Sequence, residues 1–468
     1  MTERTTGAIE KTAEETERTT EVTERPPRSP AVIEPFPPAL WADAVYSRKA
    51  IPPTLAAGHA APGHSDAELD PLPPGHRLPL APPPLHLVSS LGPSPAAHAG
   101  AARLGHQTGL GDPAVIAALL HYSYGLLHHD LSPGGWPLHR AVASARCRYP
   151  SELTLATLTT AFRFDPLHHQ LIDLDRLMTD GQSREPAASR FAVISSRLAR
   201  TAQLYGDYAP RLCAQEAGML LGSVHLVATA LGLRTRAGQD RDTLDALCAG
   251  RLPAAEHPMG YVEILPCADP PPAAPRRLPS DLATVLRARH SGAALFDPVP
   301  APAPRALLAD LGAALAEAPF PDFSCHLLVR RVADFAPGHY VHSGGRLWQV
   351  RDGDPLTLLE QIGQTEGRVS VNFRSTACTA YIAVRRGTAV SRYGADAFRR
   401  VHLTAGAAAH LICVAAARHG LSARVHNGYD AATAERLLGL APDDETVVFQ
   451  VAIGKARPGA AFRLPVVF

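Results

Sequence analysis

The chain has 468 residues, of which 46% are hydrophobic, and its formal net charge is +1. This length is well beyond the roughly 250 residues at which a single core stops growing, so we expect two packed domains. The near-neutral charge argues against nucleic acid or an anionic membrane as a partner, and no run of about 18 apolar residues predicts a membrane-spanning segment.

The cysteines indicate a reducing compartment. There are seven of them, an odd number, and they form no Cys-x-x-Cys pair. We therefore expect a cytoplasmic protein without a disulfide framework or a zinc site. The N-terminal segment lacks the apolar core of a secretory signal, in agreement with this location. His121, His128, His129 and His139 match no metal-ligand spacing, so we expect no metal site.

Composition divides the chain into five segments. Residues 1–35 are rich in Thr, Glu and Arg, cannot bury much apolar surface, and are predicted to be disordered. Residues 36–85 alternate proline clusters with short apolar groups and predict a loosely structured arm against the first domain. The first domain is predicted over 86–266. A proline-rich linker over 267–280 joins it to a second domain over 281–468.

Strands and helices are mixed in both predicted domains. A helix of roughly 20 residues follows Tyr205 in the first and Tyr393 in the second, and a glycine ends each of them. A short strand, a short amphipathic helix and a closing strand come next in both. This pattern predicts an α+β fold. The main predicted strands cover 152–158, 190–195, 261–265, 325–332, 380–386 and 447–454.

Two segments, 199–240 and 387–430, look like copies of one another. Tyr205-Gly206 matches Tyr393-Gly394 at a spacing of 188 residues (393 minus 205). A two-residue insertion then shifts the later matches to 190 residues. Several matches in one register indicate a duplicated and diverged domain. The other matched pairs are Arg211 with Arg399, Gly218 with Gly406, Gly232 with Gly420, Gly238 with Gly428 and Asp240 with Asp430.

The second copy carries residues suited to holding a phosphorylated cofactor. It opens with VLRARHSG, residues 285–292, and its last strand ends in Gly454-Lys455. Arginine and hydroxyl donors are the groups that a phosphate dianion prefers. These motifs resemble those of the nitroreductase-like flavoproteins, with the SagB-type and McbC-like azoline dehydrogenases as the most similar branch. The resemblance is patchy and covers roughly residues 85–460.

The resemblance implies two tandem nitroreductase-like domains that form a pseudo-dimer within one chain and bind FMN between them. Arg289, His290 and Ser291 match the family's phosphate and ribityl contacts, with Arg287 beside them and Gly454-Lys455 as a further phosphate contact. Asn427 and Gly428 match the loop beside the flavin ring, where glycine permits close backbone approach. The first copy lacks both phosphate-binding motifs. It keeps Arg140 and Ser144 of a segment that, in the family's dimers, reaches the flavin held by the other subunit. We therefore expect one composite FMN site per chain.

The family's azoline dehydrogenases use a Lys-Tyr pair before the long helix. Here the first copy has Leu204-Tyr205 and the second has Arg392-Tyr393, so both tyrosines are kept and neither lysine is. Arg392 cannot act as a base because an arginine side chain stays protonated in proteins, although it can lower the pKa of a neighbouring tyrosine. The expected base is a tyrosine, with Tyr205 favoured over Tyr393. The alternative is that both tyrosines only pack at a helix start.

Three functions remain open from the sequence. The first is FMN-dependent oxidation of azolines to azoles in a ribosomally made precursor peptide, with azoline-forming enzymes as partners. The second is an NAD(P)H-dependent flavin reductase acting on quinones or nitro compounds, which the missing lysines favour slightly. The third is a flavin-free protein that binds a peptide or a partner. A tandem pseudo-dimer is sufficient as a monomer, and its exposed faces leave room for a further homodimer.

Overall fold

A computed structural model describes most of the predicted domains. The predicted disordered tail, most of the proline-rich arm and the predicted linker lie outside the described residues. The described residues are 75–82, 113–131, 138–175, 190–253, 255–265, 282–291, 296–343, 345–365, 368–369, 371–441, 444–457 and 463–466.

The described elements of the first half include nine strands, seven of which form one antiparallel sheet, and four α-helices. The strands are β1 (His76–Pro79), β2 (Leu126–Asp130), β3 (Leu138–Arg140), β4 (Ser151–Ala156), β5 (Ala161–Asp165), β6 (Gln170–Asp173), β7 (Phe191–Ser196), β8 (Arg234–Gly238) and β9 (His257–Leu265). The helices are α1 (Pro113–Tyr124), α2 (Leu198–Tyr205), α3 (Ala209–Ala230) and α4 (Arg241–Cys248).

The second half repeats this design. Its strands are β10 (Ser324–Val329), β11 (Gly338–Ser343), β12 (Arg346–Asp352), β13 (Gln364–Thr365), β14 (Arg368–Val369), β15 (Thr376–Arg385), β16 (Ser422–His426), β17 (Glu445–Gly454) and β18 (Arg463–Pro465). Its helices are α5 (Leu282–Ala288), α6 (Ala306–Ala316), α7 (Leu356–Gly363), α8 (Arg386–Tyr393), α9 (Ala397–Arg418) and α10 (Ala431–Leu438).

The two large sheets have the same strand order. The first runs β1-β6-β5-β4-β7-β9-β8 and the second runs β12-β11-β10-β15-β17-β16. All neighbouring strands in both are antiparallel. Apart from the edge strand β1, each sheet is therefore the same six-stranded arrangement. The α+β class is confirmed, and the repeat seen in the sequence is a repeat of topology.

A bend before each long helix is also repeated. Gly206 has φ 51° and ψ −133°, and Gly394 has φ 54° and ψ −129°. A side chain makes this backbone conformation strained, whereas glycine adopts it freely. The kept Tyr-Gly pairs thus mark the point where α2 turns into α3 and where α8 turns into α9.

The long helices α3 and α9 pack against each other at the centre of the molecule. A side-chain carbon at Gly218 would overlap the backbone oxygen of Leu403, and one at Gly406 would overlap that of Gln215. Buried side chains of both halves belong to one continuous hydrophobic cluster as a result. The two predicted domains therefore share a core instead of each building a separate one. The Arg386–Arg418 stretch is long and apolar enough to cross a membrane, but 94% of its most apolar window is buried inside the structure.

Three details differ from the sequence-based expectations. The end of the predicted arm forms β1 and pairs with β6, so it extends the first sheet. The strand β18, from the second half, pairs with β2 of the first half. Gly238 is the last residue of β8 and is equivalent to His426, the last of β16, instead of Gly428. The two-residue insertion consequently lies in the loop after β16, at residues 427–429.

Candidate functional site

A cavity of about 440 Å³ lies between the two halves. This volume is within the range of about 300–1,000 Å³ that is usual for small-molecule and cofactor sites. The first half contributes the face of α2 and α3 and the segment 142–149. The second half contributes residues 289–291, β16 with the loop that follows it, and Phe449. Residues more than 300 positions apart in sequence, such as Val142 and Phe449, therefore line one space.

Arg289 places an incompletely paired guanidinium at this cavity. The residue is 7% exposed, and its Nη2 donates to the backbone oxygen of Arg140 over 3.2 Å. Its Nε and Nη1 are buried and have no hydrogen-bond partner among the residues that the structure describes. Burying such donors unpaired is costly, so the site is suited to an anion that pairs with them. His290 and Ser291 line the same cavity.

The segment around Ser144 has an unusual backbone. Arg146, Cys147 and Tyr149 have φ values of 50°, 51° and 45°, a region that residues with side chains rarely adopt. The Ser144 hydroxyl accepts a hydrogen bond of 2.8 Å from the backbone N–H of Tyr149, which closes the turn. Strained backbone of this kind concentrates at functional sites. Ser144 lines the cavity, as the composite-site hypothesis requires.

The loop after β16 is held by the first half. Nη2 of Arg211 donates to Asn427 Oδ1 at 3.3 Å, to the Tyr429 hydroxyl at 3.1 Å and to the Val448 backbone oxygen at 2.8 Å. Gln215 exchanges hydrogen bonds with the Asn427 side chain. Asn427 and Gly428 both line the cavity.

The amide of Gly428 has a protein partner. It donates a hydrogen bond of 2.9 Å to His426 Nδ1. A contact between this amide and a flavin ring nitrogen, which the resemblance suggests, therefore requires that hydrogen bond to be exchanged.

Four predicted binding residues do not line the cavity. Lys455 is exposed and Gly454 is buried in the sheet at the end of β17. Arg287 donates to the Tyr122 hydroxyl at 3.2 Å, on the side of α1. The Arg140 guanidinium stacks over the rings of Tyr124 and Tyr149 at 4.4 and 4.7 Å, and only its backbone oxygen reaches Arg289.

The favoured tyrosine does reach the cavity. Tyr205 lies at the end of α2 and lines the wall. Burial raises the pKa of its phenol, although the neighbouring Arg146 and Arg424 act to lower that pKa. The phenol is therefore protonated at neutral pH and is better suited to donating a hydrogen bond than to accepting a proton.

Three charged cavity residues escaped the sequence analysis, namely Arg146, Arg424 and Glu216. Arg424 lies on β16, and its Nε is buried without a partner among the described residues. Glu216 lies on α3 and is 4% exposed. A carboxylate inside an Ala- and Leu-rich helix was the available signal for Glu216, because such a residue is rarely buried without a function or a partner.

Tyr393 and Arg392 line a different cavity of about 420 Å³. Its walls come from the equivalent face of α8 and α9, with Gln239 from the first half. The Arg392 side chain is 67% exposed and lies over the Tyr393 ring at 5.1 Å. This space is the counterpart of the first cavity, and the structure does not bring Tyr393 or Arg392 to the cavity that contains Arg289.

Comparison with known proteins agrees with this fold. Residues 355–455 match the model of the Nitroreductase family. The sequence has no match among the curated proteins. A nitroreductase-type crystal structure from Anabaena variabilis has a TM-score of 0.59 at 18% identity, covering 87% of this chain and 97% of that one. The chain therefore has a nitroreductase-like fold along both halves.

Two further structures match about one half of the chain. A nitroreductase-type protein from Ralstonia eutropha is 18% identical, with a TM-score of 0.30, covering 40% of this chain and 89% of that one. The E. coli microcin synthetase McbBCD complex is 12% identical, with a TM-score of 0.32, covering 41% of this chain and 78% of the matched chain.

Proposed function

We propose that this chain is an FMN-dependent oxidoreductase with one composite flavin site, located in the cavity between its two halves. The observation that carries this proposal is the buried Arg289 guanidinium, which has two unpaired nitrogens at the cavity. A phosphate monoester is a dianion that can accept from both of these nitrogens. The Nitroreductase family match of residues 355–455 supports a flavin as the bearer of that phosphate.

The residues present fit such a cofactor. Arg289, His290 and Ser291 would hold the phosphate end, and the loop at Asn427-Gly428 together with Arg424 would lie beside the ring. Bound FMN supplies a two-electron acceptor for a hydride. From the first half, Tyr205 donates a hydrogen bond that orients the substrate, and Ser144 closes the opposite wall. Lys455 is not assigned a role here, because it is exposed and lies outside the cavity lining.

The second cavity is not proposed as a flavin site. In the second cavity, the single residue Gln239 stands where the first cavity has the loop 427–429. The first half is shorter at this point because it lacks the two-residue insertion. The Arg400 side chain there is paired with Asp396 at 2.7 Å. We infer one FMN per chain, with the pseudo-dimer supplying both walls of the site and the substrate reaching it without a second chain.

We further propose that the substrate is an azoline-containing peptide, which is dehydrogenated to an azole. The support is the resemblance of the Ser144 segment and of the Tyr-Gly turn to the azoline dehydrogenases, together with the placement of Ser144 and Tyr205 in the cavity that holds Arg289. Peptide-modifying partner enzymes that form the azoline would act before this chain.

The test is the visible spectrum of the purified protein and the amount of FMN released per chain on denaturation. We expect about one FMN per chain. The Arg289→Ala variant should bind FMN about 100-fold more weakly, because each charge-assisted hydrogen bond contributes about 1.5–3 kcal/mol. Arg287→Ala is the matched control, since Arg287 lies outside the cavity lining. Two FMN per chain would contradict the composite site, and a colourless protein that takes up no added FMN would leave only the peptide-binding function.

A second candidate function is an NAD(P)H-dependent reductase of quinones or nitro compounds. The observation that favours it is Leu204, which stands where the azoline dehydrogenases have lysine. Anaerobic addition of NADPH distinguishes the two: rapid bleaching of the flavin indicates the reductase. Bleaching by a thiazoline peptide, with no response to NADPH, indicates the dehydrogenase.

A further inference from the structure

One wall of the cavity contains a buried carboxyl group. Glu216 projects from the middle of α3 and is 4% exposed, yet it lines the cavity together with Gln215 and Met219 of the same helix. The Tyr124 hydroxyl donates to the Ser151 backbone oxygen at 2.7 Å and lies 3.4 Å from Glu216 Oε1. No arginine or lysine forms an ion pair with this carboxyl among the described residues.

Hydroxyl groups, not cations, are the direct neighbours of Glu216. Ser144 and Ser151 act on the pKa of Glu216 as hydrogen-bonding neighbours, and the charge of Arg140 acts on it as well. Tyr124 faces it from α1, Glu152 lies on β4, and Arg200 on α2 is close to the same group of residues. Across the cavity, the second half presents Arg289, Arg424 and two histidines, His290 and His426. A carboxyl in this setting can change its protonation without breaking an ion pair.

The two halves differ at this position. The residue equivalent to Glu216, 188 positions later in α9, is Thr404, which lines the second cavity. A carboxyl at this helix position therefore occurs only in the cavity that also has the unpaired Arg289 guanidinium and the longer loop at 427–429, and the carboxyls of the second cavity, Asp322 and Glu445, come from other elements. A purely structural role in the helix pair would be needed equally in both halves, whereas a role in the reaction is needed in one.

We propose that Glu216 is the proton-exchanging residue of this site, which accepts the proton that leaves the substrate when its hydride is removed. This proposal rests on the proposed flavin function. In the dehydrogenation, two ring C–H bonds of the azoline break and a ring C=C bond forms. One hydrogen would leave with two electrons as a hydride, for which bound FMN would be the acceptor, and the other would leave as a proton to the Glu216 carboxylate, which would become a carboxylic acid.

The chemistry of the neighbours agrees with this assignment. Burial raises the pKa of Glu216 to about 7, although hydrogen bonds from Ser144 and Ser151 and the charge of Arg140 act to lower it. A base is most effective when its pKa is near the working pH. Burial also raises the pKa of Tyr205, above an ordinary value that is already high. Glu216 is thus the better acceptor, and Tyr205 keeps its orienting role.

The first measurement needs no cofactor. Infrared titration of the purified chain should show a protonated carboxyl band that disappears at about pH 7. The band should be lost in Glu216→Gln and retained in the control Glu263→Gln, whose carboxylate pairs with Arg236 on β8. Ser144→Ala removes a hydrogen bond to the carboxylate, so the midpoint should move to higher pH. A spectrum without this titration in the wild type overturns the proposal, even if Glu216→Gln fails to fold.

The second measurement uses FMN-loaded protein. Reduction adds negative charge to the cavity, so the wild-type reduction potential should show a bend in its pH dependence near neutrality, as Glu216 takes up a proton. Glu216→Gln should lose the bend and Glu263→Gln should keep it. Normal FMN binding with identical pH dependence in wild type and Glu216→Gln overturns the role of Glu216 alone. A chain that binds no FMN overturns the proposed function, and the role of Glu216 with it.

Discussion

The two cavities between the halves of this protein are built from equivalent helices and sheets but are chemically different. The first has the buried Arg289, the longer loop at Asn427-Gly428, and Glu216. In the second, Thr404 replaces the carboxyl and Gln239 replaces the longer loop. The duplicated features that survive in both halves are those that maintain the fold, such as the Tyr-Gly bend and the helix-crossing glycines. The features that we propose for the chemistry survive in only one half. Paired substitutions can therefore separate structural from functional residues.

The largest effects are expected where the halves are still alike. Gly218→Val and Gly406→Val should each prevent folding, because a side chain at either position overlaps backbone of the opposite helix, which cannot move aside. We expect losses of about 4 kcal/mol or more in the free energy of unfolding, seen as loss of soluble protein. Gly312→Val, also within a helix, serves as the control for β-branched substitution, since the nearest atoms to a side-chain carbon there are 3.9 Å away. Unequal effects at Gly218 and Gly406 would contradict the structural equivalence of the halves.

Replacing either of the equivalent arginines Arg211 and Arg399 should lower the stability of the fold by a similar amount, but the two replacements should differ in their effect on FMN binding. Each reaches across to backbone oxygens of the other half, Val448 for Arg211 and Gln239 for Arg399. Replacing either with methionine removes the buried, charge-assisted hydrogen bonds that its guanidinium makes to the other half, and should cost about 3 kcal/mol in denaturant unfolding. Only Arg211→Met should also weaken FMN binding, because Arg211 holds Asn427. Equal losses of FMN affinity in the two variants would contradict the one-site proposal.

Glu216 gives a prediction about the pH dependence of stability. Its folded-state pKa of about 7 lies above the ordinary value of 4.5, so the folded state favours the protonated form. The contribution of Glu216 to the stability of the wild type is therefore most favourable below pH 4.5, and it is lost as the pH rises through about 7. Glu216→Gln should be more stable than the wild type at pH 8 by up to about 3 kcal/mol, with little difference at pH 4.5. Thr404→Val should show no such pH dependence, and thermal unfolding at the two pH values measures both.

The smallest difference between equivalent positions is expected for Tyr205 and Tyr393, in the rate of flavin reduction. Tyr205→Phe should lower the rate of flavin reduction by a thiazoline peptide about tenfold, because it removes one orienting hydrogen-bond donor worth about 1.4 kcal/mol. Tyr393→Phe should change that rate by less than about twofold, since Tyr393 lines the other cavity. A larger loss from Tyr393→Phe would reverse the assignment of the active cavity.

Much of the local structure could be predicted from the sequence. The long helices after Tyr205 and Tyr393, the strands at 152–158 and 447–454, and the α+β class follow from apolar periodicity and glycine positions, and the structure confirms them. The duplication was also visible, because spacing along the chain is preserved when a domain is copied. The match of Gly238 with Gly428 was wrong by two residues, since a chance glycine match hid the position of the insertion, whereas Asp240 and Asp430 are equivalent because each caps the helix that follows it.

The candidate site depended on tertiary structure. Arg289, Ser144 and Tyr205 were chosen from motifs, yet only the packing of α3 against α9 brings them to one cavity and leaves Lys455, Arg140 and Arg287 outside its lining. The position of Glu216 in an apolar helix was visible in the sequence, but its pKa near 7 arises from burial by elements distant along the chain. Periodicity and turn chemistry are local properties that a sequence carries by itself. Burial, unpaired donors and shifted pKa values depend on which surfaces pack together. In this protein they result from the packing of the two halves against each other.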